Sequence, residues 1–376
     1  MPDFRYLIDN AKKSILGFKE QPNTAAVESK SPASNNLFTK VDPAVDGDDC
    51  NHDCASCDIK YPRKFSIDET DDIYGNIKAW STHVLVATGK TDWVRDVGDE
   101  KGSIMEAFEK TSVKPSNGVS YPELTIRIMH QLANKPVGSQ KLKLSASNIP
   151  TPTHHNDYAE PTTVLILPAF TIVENVTPSS VPNLITSFIN LSPTTTSSLL
   201  PKSVPQTLSD PLPTASELVS RPCPHKALIL LCSQRTRDAR CGQSAPLLRK
   251  ELERHLRPLG LFRDLDDERP GGVGIYFISH VGGHKYSANM MVYRKENPWG
   301  LDDVERATAN GDFHVPATPA DAEIIEDSAA QCIWLARVFP KDCENIVKYT
   351  ILQGKVVKPE RQLRGGFDRT RGVFSW

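Results

Sequence analysis

The sequence predicts an α/β protein built from two α/β regions. Short apolar runs of strand length recur along the chain, and stretches with helical spacing lie between them. A segment dominated by Pro, Ser and Thr, with few charged residues, separates the two regions. A chain of 376 residues is long enough for two domains. We therefore expect strands and helices to alternate in both regions.

The first region contains three predicted strands and one predicted helix. The strands are HVLVAT from His83, LTIRIM from Leu124 and VLILPAF from Val164, and the helix covers residues 100–110. Residues 20–48, which precede this region, are rich in Asn, Ser, Pro and Asp and lack apolar periodicity. This composition predicts an N-terminal segment that is partly disordered.

The second region repeats the pattern with four strands and two helices. The predicted strands are ALILLC from Ala227, GIYFIS from Gly274, ANMMVY from Ala288 and CIWLARV from Cys332. The predicted helices cover residues 244–259, with Ser244 as the N-cap, and residues 341–352. The order of strand, loop, helix, strand, strand and helix is the one that a thioredoxin-like domain requires.

Changes in composition divide the chain into four segments. Residues between the two regions have the composition of a linker, although their scattered Leu, Val and Ile side chains could dock on a surface. The predicted segments are an N-terminal segment (1–48), an α/β domain with three clustered cysteines (49–177), a linker (178–222) and a second α/β domain with a C-terminal tail (223–376).

Charge and hydropathy exclude several classes of protein. A net charge of −2 gives no electrostatic case for a nucleic acid or an anionic membrane as a partner. No apolar run approaches the roughly 20 residues that span a bilayer. The N-terminus has no apolar core of a secretory signal, and Asp3 and Asp9 argue against a mitochondrial transit peptide. Eight cysteines are too sparse for a disulfide scaffold, which predicts a reduced, cytoplasmic protein, with the nucleus as a second compartment.

Two cysteines and two histidines in the second region predict a metal site. Eight residues separate Cys232 from Cys241, and His280 and His284 flank a Val-Gly-Gly turn. Each pair follows an apolar strand, where the loops of α/β folds carry chemistry. The alternative is four unrelated residues, because free Cys often packs as a small hydrophobe.

The spacing of these donors narrows the choice of metal. Soft thiolates select zinc, Cu(I) or iron–sulfur clusters, and imidazole suits zinc and iron. Structural zinc sites usually pair cysteines two to four residues apart, so the longer gap favours a wider 2Fe–2S cluster. A Rieske centre has the same two-Cys, two-His count. Its usual C-x-H and C-x-x-H pairs are absent, so the pattern favours a non-Rieske cluster.

The same segments carry a specific family resemblance. The motifs are DCASCDIKYP from Asp53, HVLVATGKTDWVRDV from His83, HKALILLCSQRTRDARCGQSAPLLRKEL from His225, RPGGVGIYFISHVGGHKYSANMMVYR from Arg269 and ENIVKYTILQGKVVKPERQLRGGF from Glu344. With them the chain resembles the sucrase/ferredoxin-like family, whose members are similar to thioredoxin-like ferredoxins. The resemblance implies a thioredoxin-like C-terminal domain that holds a 2Fe–2S cluster. Position by position, it implies that the ligands are Cys232, Cys241, His280 and His284.

This resemblance implies an electron-transfer protein with an unidentified protein donor and acceptor. Each imidazole ligand keeps a second ring nitrogen, so electron uptake is expected to couple to proton uptake. Lys285 and Tyr286, beside the second histidine, are expected to supply hydrogen bonds to the site. The alternatives are an oxidoreductase that acts on a bound substrate and a zinc-stabilised interaction module. Whether the chain is an enzyme stays open.

The two halves of the sequence echo each other. In each half a strand is followed by a loop that contains Arg-Asp and then by a helix; the pairs are Arg95-Asp96 and Arg237-Asp238. The first loop contains no Cys or His. The echo suggests a duplication in which one copy lost its cluster, so the N-terminal domain is a candidate second thioredoxin-like domain.

Cys50, Cys54 and Cys57 form a candidate second site beside His52. Three thiols within eight residues are denser than chance favours. The options are a structural metal clip, a redox-active set of thiols, or simple loop cysteines. The remaining cysteines, Cys223, Cys332 and Cys343, are expected to pack in the core.

The tail Phe374-Ser375-Trp376 resembles the tripeptide that recruits client proteins to the cytosolic iron–sulfur targeting complex. An indole that fills an apolar pocket beside a captured carboxylate needs few other contacts. The preceding run from Arg369 has little apolar content, and we expect it to be mobile and to present the tail. The alternative is a terminal Trp that packs on its own domain.

Overall fold

A mixed sheet of twelve strands forms the centre of the part of the chain that the structure describes. This computed structural model describes residues 37–116, 141–199, 218–302 and 328–376. The strands are β1 (Thr82–Ala87), β2 (Leu142–Ser147), β3 (Thr162–Leu167), β4 (Thr171–Val176), β5 (Val219–Pro222), β6 (Ala227–Cys232), β7 (Phe262–Arg263), β8 (Val273–Ile278), β9 (Met290–Arg294), β10 (Gln331–Leu335), β11 (Leu363–Asp368) and β12 (Val373–Phe374). Their order is β12-β11-β10-β9-β6-β8-β2-β1-β3-β4-β5, and β7 pairs with β8.

Helices alternate with these strands and pack on the sheet. The α-helices are α1 (Pro43–Asp46), α2 (Ile104–Lys110), α3 (Val181–Leu184), α4 (Ala239–Leu256), α5 (Cys343–Asn345) and α6 (Pro359–Gln362). Wider helical turns extend α3 through Ile185–Ile189 and α5 through Ile346–Ile351. None of the helices in the described ranges is long and apolar enough to cross a membrane. The predicted α/β fold is confirmed.

Two sets of four strands share one connectivity. In the second set β6 and β8 are parallel neighbours, β9 is antiparallel to β6, and β10 is antiparallel to β9. In the first set β1 and β2 are parallel, β3 is antiparallel to β1, and β4 is antiparallel to β3. A helix follows the first strand and another follows the fourth strand of each set, namely α4 and α5, or α2 and α3. The echo in the sequence therefore corresponds to a shared topology.

The two sets meet at the carboxyl ends of their parallel strands. Ala87 of β1 lies beside Ser147, which pairs with Ile278 of β8, and Ile278 lies beside Cys232 of β6. The loops that follow β1 and β6 therefore leave the sheet next to each other, at the junction of the two sets. Carboxyl ends of parallel strands are where open α/β sheets commonly place their sites.

Helix α4 begins earlier than the sequence analysis predicted. Asp238 is its N-cap, and its carboxylate accepts a hydrogen bond from the backbone N–H of Arg240. Ser244, the predicted N-cap, is buried inside the helix and donates to the carbonyl of Cys241. The prediction of Ser244 is wrong because Asp238 supplies an equally good acceptor one and a half turns earlier. The shift places Cys241 within the first turn of the helix.

Part of the predicted linker is helical and buried. Val181, Leu184, Ile185 and Ile189 of α3 and its extension lie in the same apolar core as β1 and β3. The scattered apolar side chains of this segment do dock, as their sequence allowed. The two-domain division and its boundaries stay predictions. The predicted strand at Leu124, most of the N-terminal segment and part of the linker lie outside the described residues.

Candidate metal centre

Cys232 and Cys241 lie side by side where β6 is followed by α4. Cys232 is the last residue of β6, and Cys241 is in the first turn of α4. Both residues are buried, both thiols are free, and the two sulfur atoms lie within 4.8 Å of each other. A sequence gap of eight residues is therefore closed by a loop and one helical turn.

His280 adds an imidazole to the two thiols. It follows β8, the parallel neighbour of β6, and its Nδ1 lies 3.8 Å from the sulfur of Cys232. One donor atom each from Cys232, Cys241 and His280 lies within 4.8 Å of the other two. His284 begins a short 3-10 turn (His284–Tyr286), and its side chain lies outside the described part of the structure. The structure thus brings together three of the four predicted ligands.

The pKa values of the two thiols are shifted in opposite directions. Hydrogen bonds from Cys241 and His280 lower the pKa of Cys232 to about 5. The neighbouring Cys232 thiolate raises the pKa of Cys241. Cys241 also lies at the N-terminus of an 18-residue helix, whose partial positive charge favours an anion. One thiolate is therefore preformed, and a metal would displace the proton of the other.

Side chains from distant segments hold the histidine loop, which we define as residues 280–284. The Gln234 side chain accepts a hydrogen bond of 2.8 Å from the backbone N–H of His280. Lys143 of β2 donates to the carbonyl of Val281 at 3.5 Å. Gln234 belongs to the loop between Cys232 and Cys241, which we call the cysteine loop. Lys143 belongs to the first strand set, so both halves of the sheet support the histidine loop.

Arg364 of β11 holds the middle of the histidine loop. Its Nη1 donates to the carbonyl of Gly282 at 3.0 Å and to the side chain of Asn289 at 2.7 Å. Gly283 has a φ of +65°, and a Cβ there would overlap the Arg364 guanidinium. Glycine is therefore required at this position both by the backbone conformation and by the close approach of the arginine.

The half-buried Lys143 and the buried Arg364 are two cations beside the thiols. Burial lowers the pKa of Lys143 to about 7 and that of Arg364 to about 10. Their charged groups each lie 4.5 Å from the centre of the Trp334 ring, which partly compensates for lost hydration. Because Cys232 is among the charges that raise both pKa values, the cations and the thiolate stabilise each other.

The loop after β1 packs directly on the cysteine loop. The carboxylate of Asp92 accepts hydrogen bonds from the backbone N–H of Thr236 at 3.1 Å and from its hydroxyl at 2.8 Å. Ser233 donates to the carbonyl of Thr91 at 2.9 Å. In the second strand set the loop after the first strand carries the candidate ligands Cys232 and Cys241, whereas in the first set the corresponding loop supports that cysteine loop.

The three N-terminal cysteines do not form one three-sulfur group among the described residues. Cys50 is buried in a small separate apolar cluster. Cys54 instead brings its sulfur within 4.8 Å of donor atoms of His255 and Glu344. Cys57 is half-buried and forms a turn with Cys54. His255 and Glu344 had no spacing signal, because α4 and α5 meet this loop only through the fold.

The C-terminal residues pack on the body of the protein. Phe374 belongs to β12, and Ser375 accepts a hydrogen bond of 2.9 Å from the backbone of β11. The Trp376 ring lies 4.5 Å from that of Trp80. Arg369 is buried and donates to a backbone carbonyl at 2.7 Å. These contacts argue against the expectation that the run from Arg369 is mobile and presents the tail.

Lys285 and Tyr286 make contacts away from the thiols. Lys285 forms an ion pair with Asp71, and the Tyr286 hydroxyl accepts a hydrogen bond of 2.7 Å from Asn76. The side chains that do support the histidine loop, Lys143 and Arg364, were missed. Arg364 precedes a Gly-Gly pair, and Lys143 lies in β2, a strand that the sequence analysis did not predict, so neither residue revealed its target.

Comparisons with known proteins give the relatives of this chain. The family model described as Sucrase/ferredoxin-like matches residues 73–365. Actin patches distal protein 1 of Saccharomyces cerevisiae is 30% identical over 285 residues, which cover 72% of this chain and 79% of that protein. Altered inheritance of mitochondria protein 32 of Clavispora lusitaniae is 32% identical over 36% of this chain and 33% of its own length. No solved structure matches the chain significantly.

Proposed function

The chain belongs to the sucrase/ferredoxin-like family, and from its candidate metal centre we propose that it is an electron-transfer protein that carries one 2Fe–2S cluster. The proposed ligands are Cys232, Cys241, His280 and His284. The observation that carries the proposal is the convergence of two buried thiols and one imidazole within 4.8 Å. The family description, which contains the word ferredoxin, supports the same assignment.

The donor set fits an iron–sulfur cluster and leaves zinc as the second candidate. Two thiolates and two imidazoles are a known ligand set for a 2Fe–2S cluster. The same donors also suit zinc. The wide spacing of the cysteines and the family description favour the cluster, so a zinc-stabilised interaction module is the alternative.

The residues around the centre would hold the cluster, admit protons and favour the reduced state. When bound, a 2Fe–2S cluster accepts and releases one electron. Cys232 and Cys241 would hold it from the buried side. The half-buried His280 would place a second ring nitrogen where it can exchange a proton with solvent. The positive charges of Lys143 and Arg364 would favour an added negative charge.

A cleft elsewhere on the sheet does not favour an oxidoreductase at this centre. It has a volume of about 370 Å³, and its lining includes Arg221, His225 and Tyr276. None of the three grouped donors is among its described lining residues. The cleft and the three grouped donors are therefore separate features of the described structure.

Iron and acid-labile sulfide analysis tests the proposed cluster. We expect two irons and two sulfides per chain, with a red-brown colour, when the protein is produced with adequate iron. Stoichiometric zinc without sulfide would instead support the interaction module. Turnover of a small-molecule substrate by the iron-loaded protein would support the oxidoreductase.

The midpoint potential is expected to fall as the pH rises near and above neutrality. The cause is that a histidine ligand which keeps its ring proton in the reduced state loses it more readily in the oxidised state. Voltammetry of the loaded protein over this pH range measures the effect. A potential that does not change with pH would show that the histidines do not couple electrons to protons.

We also propose that Phe374, Ser375 and Trp376 recruit the cytosolic iron–sulfur targeting complex, in the cytoplasm or the nucleus. The sequence of the tripeptide supports this proposal. The contact between Trp376 and Trp80 means that the indole has to leave its own domain before a partner can bind it. A docked tail therefore lowers the apparent affinity for the partner.

Deletion of Trp376 is expected to lower the cluster occupancy of protein isolated from cells. The same variant, reconstituted in vitro, is expected to bind the cluster as the unchanged chain does, because Trp376 contributes no ligand. Trp80→Phe is the matched control, since it loosens the docking surface and leaves the tripeptide intact. Unchanged occupancy in cells, or unfolding of the deletion variant, would argue against a recruitment signal.

A further inference from the structure

A second group of metal-binding side chains lies outside the proposed cluster site. Cys54, His255 and Glu344 bring a sulfur, an imidazole nitrogen and a carboxylate oxygen within 4.8 Å of one another. They come from the N-terminal loop, the last turn of α4 and helix α5. We propose that this group, with Cys57 as the fourth donor, binds one zinc ion; we call it the Cys54 site.

The donor types and their spacing favour zinc. Cys54 and Cys57 have the C-x-x-C spacing of structural zinc sites, and the N–H of Cys57 contacts the carbonyl of Cys54 at 3.4 Å in a turn. Zinc also accepts an imidazole nitrogen and a carboxylate oxygen. Calcium and magnesium prefer oxygen donors throughout. Both cysteines are half-buried, so a metal ion can reach them from solvent.

Arg254 already places a cation among these donors. Its Nη2 lies 3.4 Å from the Cys54 sulfur and 3.0 Å from Nε2 of His255. The same Nε2 lies 3.3 Å from the Glu251 carboxylate, so Arg254, His255 and Glu251 form one contact network beside the Cys54 sulfur. The Arg254 side chain is 43% exposed. It can therefore move away from the Cys54 sulfur and His255 and leave room for a divalent ion.

Glu251 holds Arg254 beside these donors. Its carboxylate is 1% exposed and pairs with Arg254, and it also interacts with the thiol of Cys57. A buried carboxylate left without a cation is strongly destabilising. Zinc bound by two thiolates and one carboxylate carries a net negative charge, so Arg254 has to stay paired with Glu251 when it leaves the Cys54 sulfur.

Zinc at the Cys54 site would fix the position of α4, the helix that carries the proposed cluster ligand Cys241. His255 lies near the end of α4, and Cys241 lies in its first turn. The ion would tie this helix to the N-terminal loop and to α5. The inferred role is structural, since zinc has no redox chemistry in proteins.

Metal analysis of the full chain tests the proposal. Zinc and iron are measured by mass spectrometry on protein produced with both metals. We expect one zinc per chain in addition to the iron, and loss of that zinc in Cys54→Ser and in His255→Ala. In Cys232→Ala we expect the zinc to stay while the iron is lost. This variant separates the Cys54 site from the proposed cluster.

Cys50→Ser and His52→Ala are the matched controls, because both residues lie in the same loop but outside the group, and zinc is expected to remain. Glu344→Gln changes an exposed side chain, so it tests the site even if Cys54→Ser fails to fold. It is expected to lower the affinity for zinc, which competition with a chelator measures. A wild-type chain without zinc overturns the proposal. Zinc that persists in folded Cys54→Ser and His255→Ala overturns it as well.

Discussion

Cys232→Ala is expected to abolish cluster binding while the chain still folds. Cys232 supplies the preformed thiolate of the pair, and its pKa of about 5 depends on hydrogen bonds from Cys241 and His280. Loss of residues that merely support a metal ligand costs roughly 10–100-fold in affinity. Loss of the ligand itself is expected to cost more, so almost no iron or sulfide should remain. Absorption, iron and sulfide analysis measure the loss.

Cys332→Ala is the matched control for this variant. Cys332 is also a fully buried cysteine on a strand, it lies in the same apolar cluster as Cys232, and it is outside the three-donor group. Each substitution is expected to lower the free energy of unfolding of the metal-free chain by about 1 kcal/mol. Cluster loss in Cys332→Ala, or a full cluster in Cys232→Ala, would contradict the ligand assignment.

The sequence predicted secondary structure correctly where a single short segment determines it. The strands β1 and β6 are buried along their whole length, so the runs from His83 and Ala227 are largely apolar, and both were predicted as strands. The pairing of Ser147 with Ile278 was not predictable, because it joins two edges that are far apart in the chain. That pairing decides that the two halves share one sheet.

The same difference between local and long-range contacts explains which residues of the candidate centre were predicted from the sequence. Cys232 and Cys241 lie within one strand–loop–helix unit, and His280 follows the neighbouring strand, so spacing alone grouped them. Proximity in sequence was a poor guide to their support, since Lys143 and Arg364 come from other strands. A long charged side chain can reach several ångströms from its backbone, so its target depends on tertiary structure.

Arg364→Met is expected to destabilise the histidine loop and to lower the midpoint potential of the loaded protein. Arg364 is 2% exposed, and its guanidinium satisfies the carbonyls of Gly282 and Asn76. Without it both carbonyls lose a charged donor, which is expected to cost roughly 3 kcal/mol of unfolding free energy. Removal of a buried positive charge also disfavours the additional electron. Chemical denaturation and voltammetry measure the two effects separately.

Arg337→Met separates the effect of charge at the centre from a general loss of stability. Arg337 is also buried and donates to two backbone carbonyls, those of Asp68 and Asp71, but its side chain has no hydrogen bond to the described atoms of the histidine loop. We expect it to lose a similar unfolding free energy with little change in potential. Arg364→Lys keeps the charge and loses the planar fork, so it should destabilise the loop and retain most of the potential. Equal shifts of the potential in Arg337→Met and Arg364→Met would show that the loss of stability, and not the charge beside the thiols, changes the redox centre.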